Sequence, residues 1–350
     1  MLMQRELPET VAHLDAPIGA EATISVIMPV FNAAHFLLRT LPPLVKMLRR
    51  GEILEVIVVD DGATDGSAAV AAELGARVIS SGGRLGPAGA RNVAAAQAMG
   101  DILWFVDSDV VVRDGSPARI RAAMNETEVV AVFGSYDDRP DAPNFGSQYK
   151  NLLHHHHHQI GKRDASTFWA GCGAVLRTTY QKIGGFDAKR YRFPSIEDIE
   201  LGYRMGDAGG KIRLDPALLS THLKYWSVPE LVRVDILRRA MPWARLMLNR
   251  SDVTDDLNVG MIERLRAGLA GLALMLVLAT LGGLVPLWTP LAAFAMVLAA
   301  NWKLFSTFRE VRGAPFAVSA LLFHQLYYLY STAAFVWCWF EARIGRTVRA

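Results

Sequence analysis

The sequence predicts an α/β domain with a largely parallel sheet, followed by an α-helical membrane region. Short β-branched strands alternate with helical segments over the first 115 residues, a spacing typical of βαβ units. Residues 267–302 and 313–340 contain no Asp, Glu, Lys or Arg. Each run exceeds the about 20 apolar residues that a membrane-crossing helix needs. The 350-residue chain is 51% hydrophobic and 20% charged, which excludes a disordered protein.

Charge and cysteine content exclude further classes. The net charge of +3 is too small for a large basic surface, so we expect no nucleic-acid partner. Cys172 and Cys338 lie far apart in the chain, and two such residues form neither a redox pair nor a zinc site.

The predicted strands of the α/β domain are 23–28, 54–59, 77–80 and 102–106, with helices at 34–50, 66–74 and 87–99. Farther along we predict a helix at 116–125, a strand at 129–134, a polar loop at 136–165 and a helix at 195–205. Two short strands, 211–214 and 218–223, then precede a basic amphipathic helix at 229–248. Parallel sheets bind ligands beyond the carboxyl ends of their strands, where Asp60-Asp61-Gly62 and Asp107-Ser108-Asp109 lie.

Among the local motifs, Asp107 and Asp109 point most directly to a function. Two carboxylates one residue apart after a buried strand suit a hard divalent cation, which prefers oxygen ligands. As an isolated match the pair also fits a solvated turn, and the same holds for Asp60 and Asp61. Arg91 belongs to a predicted helix N-terminus, from which it could also approach a phosphate.

Six motifs in order resemble the inverting family 2 glycosyltransferases, which use a nucleotide-sugar donor on a GT-A fold. The matching residues are 27–32, 59–67, 89–92, 107–109, 184–187 and 197–201. The resemblance covers about residues 22–226, and the apolar runs lie outside it.

The resemblance implies a role for each matched position. The residues implied on the donor side are Pro29, Phe31, Asp60, Asp61, Gly62, Arg91 and Asp107. Mg²⁺ or Mn²⁺ would be bound by Asp109 and Asp107, with His222 as a third ligand or, equally well, as a structural residue. Trp169, Gly171, Gly173 and Glu197 would lie on the acceptor side, and Asp198 would be the general base.

Physical chemistry supports this division of labour. A metal and Arg91 would neutralise the leaving diphosphate, and a carboxylate would accept the proton of the attacking hydroxyl. One base without an enzyme nucleophile gives inversion at the anomeric carbon. Glu197 and Asp198 are neighbours on a predicted helix and point about 100° apart, so we expect only Asp198 to reach the acceptor. A solvated helix face or a salt bridge is the expected role of Glu197 otherwise.

The predicted domain organisation places an extension at 1–22, the catalytic domain at 23–228, an interfacial amphipathic helix and connector at 229–262 and the membrane region at 263–350. Spans are expected at about 267–285, 288–303 and 315–340. Residues 1–22 carry no apolar signal segment, so the catalytic domain should face the cytosol at the cytoplasmic membrane. The tail with Arg343, Arg346 and Arg349 conflicts with an odd number of spans, and two spans remain an alternative.

The expected function is transfer of one sugar from a UDP- or GDP-sugar to a membrane-associated acceptor, a lipid-linked saccharide or a glycolipid. The Q-x-x-R-W motif of the family's polymer synthases is missing, which disfavours a processive synthase. Arg238 and Arg239 stand on the amphipathic helix instead, where they would contact membrane lipids or a lipid phosphate of the acceptor. A polyprenyl-phosphate sugar synthase is the second choice, and a non-catalytic nucleotide-sugar-binding membrane protein is the alternative from another class.

Two histidine features are left over. The tract 154–158 fits a loop or helix near the acceptor cleft better than a metal site, and helical spacing would put His154 and His158 on one face. His324 in the last span would face the interior of the helix bundle.

Overall fold

The computed structural model describes residues 19, 21–249 and 260–345. Most of the predicted extension 1–22 and the tail residues Arg346 and Arg349 lie outside the described residues. The chain divides into two compact units. The first contains the described residues through Tyr136 together with Gly161–Leu223, and the second contains Asp137–Ile160 together with the described residues from Lys224 onward.

The strands belong to the first unit. They are β1 (Ile24–Val30), β2 (Glu55–Asp60), β3 (Arg77–Ser80), β4 (Ile102–Val106), β5 (Val110–Val112), β6 (Val129–Tyr136), β7 (Asp164–Ala165), β8 (Cys172–Leu176) and β9 (Lys211–His222). The helices of the first unit are α1 (Ala34–Arg49), α2 (Ser67–Glu73), α3 (Gly86–Ala95), α4 (Ser116–Met124), α6 (Arg177–Lys182) and α7 (Glu197–Asp207). The second unit contains α5 (Phe145–Ile160), α8 (Val228–Val234), a π-helical turn (Asp235–Ala240), α9 (Met241–Leu248), α10 (Met261–Leu281), α11 (Trp288–Ala300) and α12 (Trp302–Arg343).

The sheet is mixed, in the order β3-β2-β1-β4-β8-β6-β9-β5, with β7 on β9. Its first half is the predicted parallel part, since β1 pairs in parallel with β2 and β4, and β2 with β3. The predicted α/β fold is confirmed. The second half of the sheet is mixed, because β8 is antiparallel to both of its neighbours, β4 and β6. The two short strands predicted near residue 215 are one continuous strand, β9, which is parallel to β6.

The parallel half places the polar motifs. Its central strands β1 and β4 are buried almost throughout, so their Ile, Val, Trp and Phe side chains form the core on both sheet faces. The parallel strands end at the same edge, where β2 leads into Asp60-Asp61-Gly62 and β4 leads into Asp107-Ser108-Asp109. The edge therefore collects the predicted site from distant parts of the sequence.

The prediction of a polar loop over 136–165 is wrong, because residues Phe145–Ile160 form a helix of 16 residues. Tyr149 and Leu152 on this helix are fully buried and share a core with Phe308 and Leu321 of α12. Five consecutive histidines in this segment make it look polar in the sequence, so its apolar face was not recognised. They follow helical spacing as expected, with the rings of His154 and His158 3.9 Å apart.

The predicted amphipathic helix 229–248 is helical over its length but contains the π-helical turn. Asp235 at the start of this turn is only 2% exposed. Its carboxylate accepts hydrogen bonds from Lys150 Nζ at 2.6 Å and from the hydroxyl of Tyr330 at 3.1 Å. His324 is also buried, as expected, and its Nδ1 lies 2.8 Å from the hydroxyl of Tyr149.

The C-terminal helices differ from the three predicted spans. Within the described residues, α10, with 21 residues, alone is long and apolar enough to cross a membrane. With 13 residues, α11 is about 20 Å long, shorter than a bilayer core of about 30 Å. It is long and apolar enough for a membrane span only when it is taken together with α12, and the two helices are bent by 76° relative to each other. The expectation of a separate span at 288–303 thus fails on length, and the described residues contain one helix that could cross a membrane, or two if the bent pair counts as one.

Candidate functional site

Arg91 is a buried cation at the carboxyl edge of the sheet. It lies in α3 and is only 4% exposed. Its Nη2 donates to Asp107 Oδ1 at 2.6 Å, and its Nη1 donates to Glu197 Oε1 at 3.3 Å. A buried guanidinium needs such partners because an isolated buried charge is costly. Arg91 thereby ties the segment after β4 to the first turn of α7.

Asp198 is held separately from its neighbour Glu197. Its Oδ2 accepts from the backbone N–H of Ala170 at 3.1 Å, and its Oδ1 accepts from that of Ile199 at 2.9 Å. Burial, with a further contribution from the negative charge of Glu197, raises the pKa of Asp198 to about 7. A carboxylate with this pKa exchanges a proton near neutral pH, as a general base must.

The other oxygen of Glu197 accepts from the backbone N–H of Ser195 at 2.8 Å. Glu197 and Asp198 therefore face different partners, in agreement with their spacing on a helix. Glu197 is buried beside Arg91, which contradicts the solvated helix face that was considered for it and agrees with a salt bridge.

The expected metal ligands lie on β4, β5 and β9 or directly beside them. His222 at the end of β9 places its Nε2 3.5 Å from Asp109 Oδ2, and the ring of Tyr136 stacks on its imidazole at 4.5 Å. The backbone carbonyl of Asp109 accepts from Leu223 at 2.8 Å. Among the described residues no group of three or more His, Cys, Asp or Glu side chains is arranged for a metal ion. The donor chemistry, two carboxylates and one imidazole, nevertheless fits Mg²⁺ or Mn²⁺.

The predicted donor side consists of the segments after β1 and β2. The ring of Phe31 is 38% exposed, and the guanidinium of Arg84 lies over it at 4.0 Å. Asp60 Oδ1 accepts from the backbone N–H of Ala63 at 2.8 Å. Pro29 lies in β1 opposite Val59 of β2. Arg84 was missed by the sequence reasoning, since it lies outside every motif.

Asp61 organises the loop that carries Arg84. It is 4% exposed, and it accepts hydrogen bonds at 2.8 Å from the hydroxyl of Ser81 and from the backbone N–H groups of Leu85 and Gly86. Gly62 follows with a φ of +80°, which a residue without Cβ adopts without strain. The contacts of Asp61 shape the loop and the start of α3.

The residues expected on the acceptor side surround Trp169. A Cβ at Gly171 would lie 2.5 Å from the Trp169 ring, and one at Gly173 would lie 2.3 Å from its carbonyl oxygen. Glycine at 171 therefore lets the indole lie directly against the backbone, and glycine at 173 leaves room for the Trp169 carbonyl and the Phe168 ring. The ring also meets Tyr136 edge-on at 4.7 Å, and the carbonyl of Gly171 accepts from the backbone N–H of Asp107 at 3.2 Å.

Arg238 and Arg239 do not belong to this unit. Both lie in the π-helical turn of the second unit and are exposed. Arg239 Nε lies 4.0 Å from the buried carboxylate of Asp235.

Comparisons with known proteins find similarity to glycosyltransferases. Residues 25–184 match the family model described as glycosyl transferase family 2. The chain is 30% identical over 228 residues to the pre-mycofactocin glycosyltransferase of Mycobacterium tuberculosis, covering 62% of this chain and 46% of that protein. It is 28% identical over 118 residues to glycosyltransferase GlyG of Streptococcus pneumoniae, covering 32% of this chain and 38% of that protein. The chain thus spans about half the length, or less, of these curated relatives.

A similar solved structure is a mannosyltransferase from Pyrobaculum calidifontis in complex with GDP-mannose and Mn²⁺. It is 18% identical, with a TM-score of 0.48, covering 92% of this chain and 89% of that one.

Proposed function

Because residues 25–184 form a glycosyltransferase family 2 domain, we propose that the protein moves one sugar from a nucleotide-sugar to a hydroxyl of a membrane-associated acceptor, with inversion. The observation that carries the proposal is the position of Asp198. Its carboxylate lies at the start of α7 beside the Trp169 segment, with a pKa of about 7. It would accept the proton of the acceptor hydroxyl as that oxygen attacks the anomeric carbon.

The donor would be a UDP- or GDP-sugar with its base and ribose against Phe31 and Asp60. Asp107 and Asp109 would hold Mg²⁺ or Mn²⁺, with His222 beside them. The bound ion would neutralise the charge that develops on the leaving diphosphate. Arg91 would keep Asp107 oriented and add a positive charge on the same side of the site.

The C-terminal helices support a membrane-associated acceptor such as a lipid-linked saccharide or a glycolipid. Large apolar side chains are exposed along α10, for example Leu274, Met275 and Leu278, and exposed apolar surface on this scale is typical of a membrane segment. An enzyme anchored in this way would keep its active site near the bilayer. Arg238 and Arg239 would face the anionic headgroups.

The name of one relative favours a second acceptor. A chain 30% identical over 228 residues is a pre-mycofactocin glycosyltransferase, so transfer to pre-mycofactocin is the alternative.

The test uses the purified full chain in detergent with Mn²⁺ and a panel of UDP- and GDP-sugars. Lipid extracts and pre-mycofactocin are offered as acceptors, and the products are identified by mass spectrometry and anomeric NMR. Asp198→Asn should abolish transfer but keep donor binding. Glu200→Gln, which removes a carboxylate paired with Arg204 on the same helix, should stay active. Transfer by Asp198→Asn, or a product that retains the donor configuration, would contradict the proposal.

Membrane insertion needs its own measurement. The full chain should resist extraction by alkaline carbonate. Leu278→Arg, at a side chain 52% exposed, should weaken this resistance because an Arg in the apolar part of α10 disfavours insertion. Glu230→Arg on the polar start of α8 is the matched control. Full release of the unmodified chain by carbonate would exclude a spanning helix.

A further inference from the structure

A polar cavity lies within the second unit and outside the residues used so far. Its volume is about 470 Å³, and α5 and the first part of α12 contribute to its lining. Cavities of about 300–1,000 Å³ are the size that holds a small ligand. The lining residues with ionisable or hydroxyl groups are Asp138, Arg139, His155, Thr307, Glu310 and Arg312.

Arg312 is held in position by a buried amide. Its Nε donates to Gln148 Oε1 at 2.5 Å. Gln148 is only 3% exposed, and its Nε2 donates to the carbonyls of Pro140 at 3.1 Å and Ala142 at 2.7 Å. The Gln148 amide therefore cannot turn, and it orients the plane of the guanidinium. Among the described residues no partner is bonded to the two terminal nitrogens of Arg312, so this fork is available to a ligand.

Thr307, which lines the cavity beside Arg312, is also fixed by hydrogen bonds. Thr307 Oγ1 donates to the carbonyl of Lys303 at 3.1 Å and lies 2.8 Å from His156 Nδ1. An oriented arginine fork is the group that proteins use for bidentate contact with a phosphate. The second guanidinium, that of Arg139, is 85% exposed at the rim, from where it can swing onto a bound oxyanion.

The two acidic residues that line the cavity limit which ligands can bind there. Asp138 and Glu310 balance the two arginines, so a bare multivalent anion would be repelled as well as attracted. Carboxylates accept hydrogen bonds from hydroxyl groups. We propose that this cavity binds a hydroxyl-bearing phosphate ester, with the phosphate on the Arg312 fork and the hydroxyls on Glu310.

The cavity also lies next to the start of a charge-free stretch of the chain. Directly after Arg312, Gly313 leaves the helical conformation with a φ of +81°, and the charge-free run 313–340 begins. A phosphate ester here is either the headgroup of a lipid or lipid-linked molecule, or a free ester from solution. The inference concerns binding alone and stands apart from the proposed transfer reaction.

Binding is measured by calorimetry on the full chain in a phosphate-free detergent, without donor or metal. The soluble probes are glycerol 3-phosphate, inorganic phosphate and glycerol. The membrane probes are phosphatidylglycerol and phosphatidylcholine, each added as mixed micelles with the same detergent. We expect glycerol 3-phosphate or phosphatidylglycerol to bind in preference to the other probes of its set. The first result identifies a free ester as the source, and the second identifies a headgroup.

Arg312→Gln should weaken that binding at least tenfold, and Arg139→Gln, at an exposed side chain, should weaken it about threefold. Arg309→Gln is the matched control, because Arg309 lies on the same helix over Trp302 and outside the cavity. Loss of binding in Arg309→Gln equal to that in Arg312→Gln would overturn the proposal. The proposal would also be overturned if the unmodified protein bound neither glycerol 3-phosphate nor phosphatidylglycerol.

Discussion

Asp198 should be largely protonated in mild acid, and the transfer rate should fall with it. With a pKa of about 7, the carboxylate is about 10% ionised at pH 6 and about 90% ionised at pH 8. The value of kcat/KM should therefore rise about tenfold between these pH values and then level off. A carboxylate with the ordinary pKa of about 4 would be ionised throughout, and the rate would be flat.

The cause of the shift can be tested on the neighbouring carboxylates. Glu197→Gln removes the negative charge that raises the pKa of Asp198, so the rising limb should move to lower pH. Glu200→Gln neutralises a carboxylate that is paired with Arg204 at 2.7 Å, and its limb should stay in place. The assay is the initial rate from pH 5.5 to 8.5 at saturating donor and metal, with the acceptor well below its KM so that the rate reports kcat/KM. A flat profile from pH 6 to 8, or equal shifts in both variants, would refute this role for Asp198.

The raised pKa of Asp198 also predicts how the stability of the fold changes with pH. The folded pKa is raised above the unfolded value of about 4, so Asp198 stabilises the fold fully below pH 4. That contribution is lost as the pH rises through 7. The difference in Tm between Asp198→Asn and the unmodified protein should therefore shift in favour of the variant between pH 4 and pH 8. A constant difference would mean that the folded and unfolded pKa values are the same.

Three further changes test the surroundings of the site. Gly86→Ala should destabilise the fold by about 3 kcal/mol or more in chemical denaturation, because its Cβ would lie 2.0 Å from the Arg192 carbonyl oxygen. Gly66→Ala has a similar φ and open space, and should cost only about 1 kcal/mol; equal losses would show that the close approach is unimportant. Asp61→Asn should cost about 1–3 kcal/mol and raise the KM for the donor more than it lowers kcat, and an unchanged KM would separate the loop from donor binding. Asp109→Asn should abolish the metal-dependent part of donor binding in a titration with and without EDTA, whereas binding that still responds to EDTA would argue against Asp109 as a ligand.

The parallel half of the sheet was predictable because its signals are local. In β1, β2 and β4 each apolar run ends in turn residues or carboxylates, and the helices between them have the length of ordinary βαβ crossovers. The motifs at the strand ends then follow from topology alone. The reversal of β8 could not be read in this way, because strand direction depends on pairing between distant segments.

The contacts of Arg91 show which part of the site could not be predicted from the sequence. The sequence places a basic residue in a helix near the sheet edge, which suits a phosphate as well as a carboxylate. Its partners Asp107 and Glu197 come from two other parts of the chain, and no spacing rule connects them. Adjacent residues were more informative: the helical angle between Glu197 and Asp198 explains why one bonds to Arg91 and the other to Ala170.

The helix α5 changes how the C-terminal region can be studied. Tyr149 and Leu152 are fully buried against a core that includes Phe308 and Leu321. Removing residues 260–350 to release a soluble enzyme would therefore expose the apolar face of α5 in the middle of the chain. The truncated protein would aggregate or bind membranes through that face, and its location would say nothing about α10. A substitution such as Leu278→Arg leaves this core intact, because the side chain lies on the exposed surface of α10, so a change in its extraction reports on the membrane segment itself.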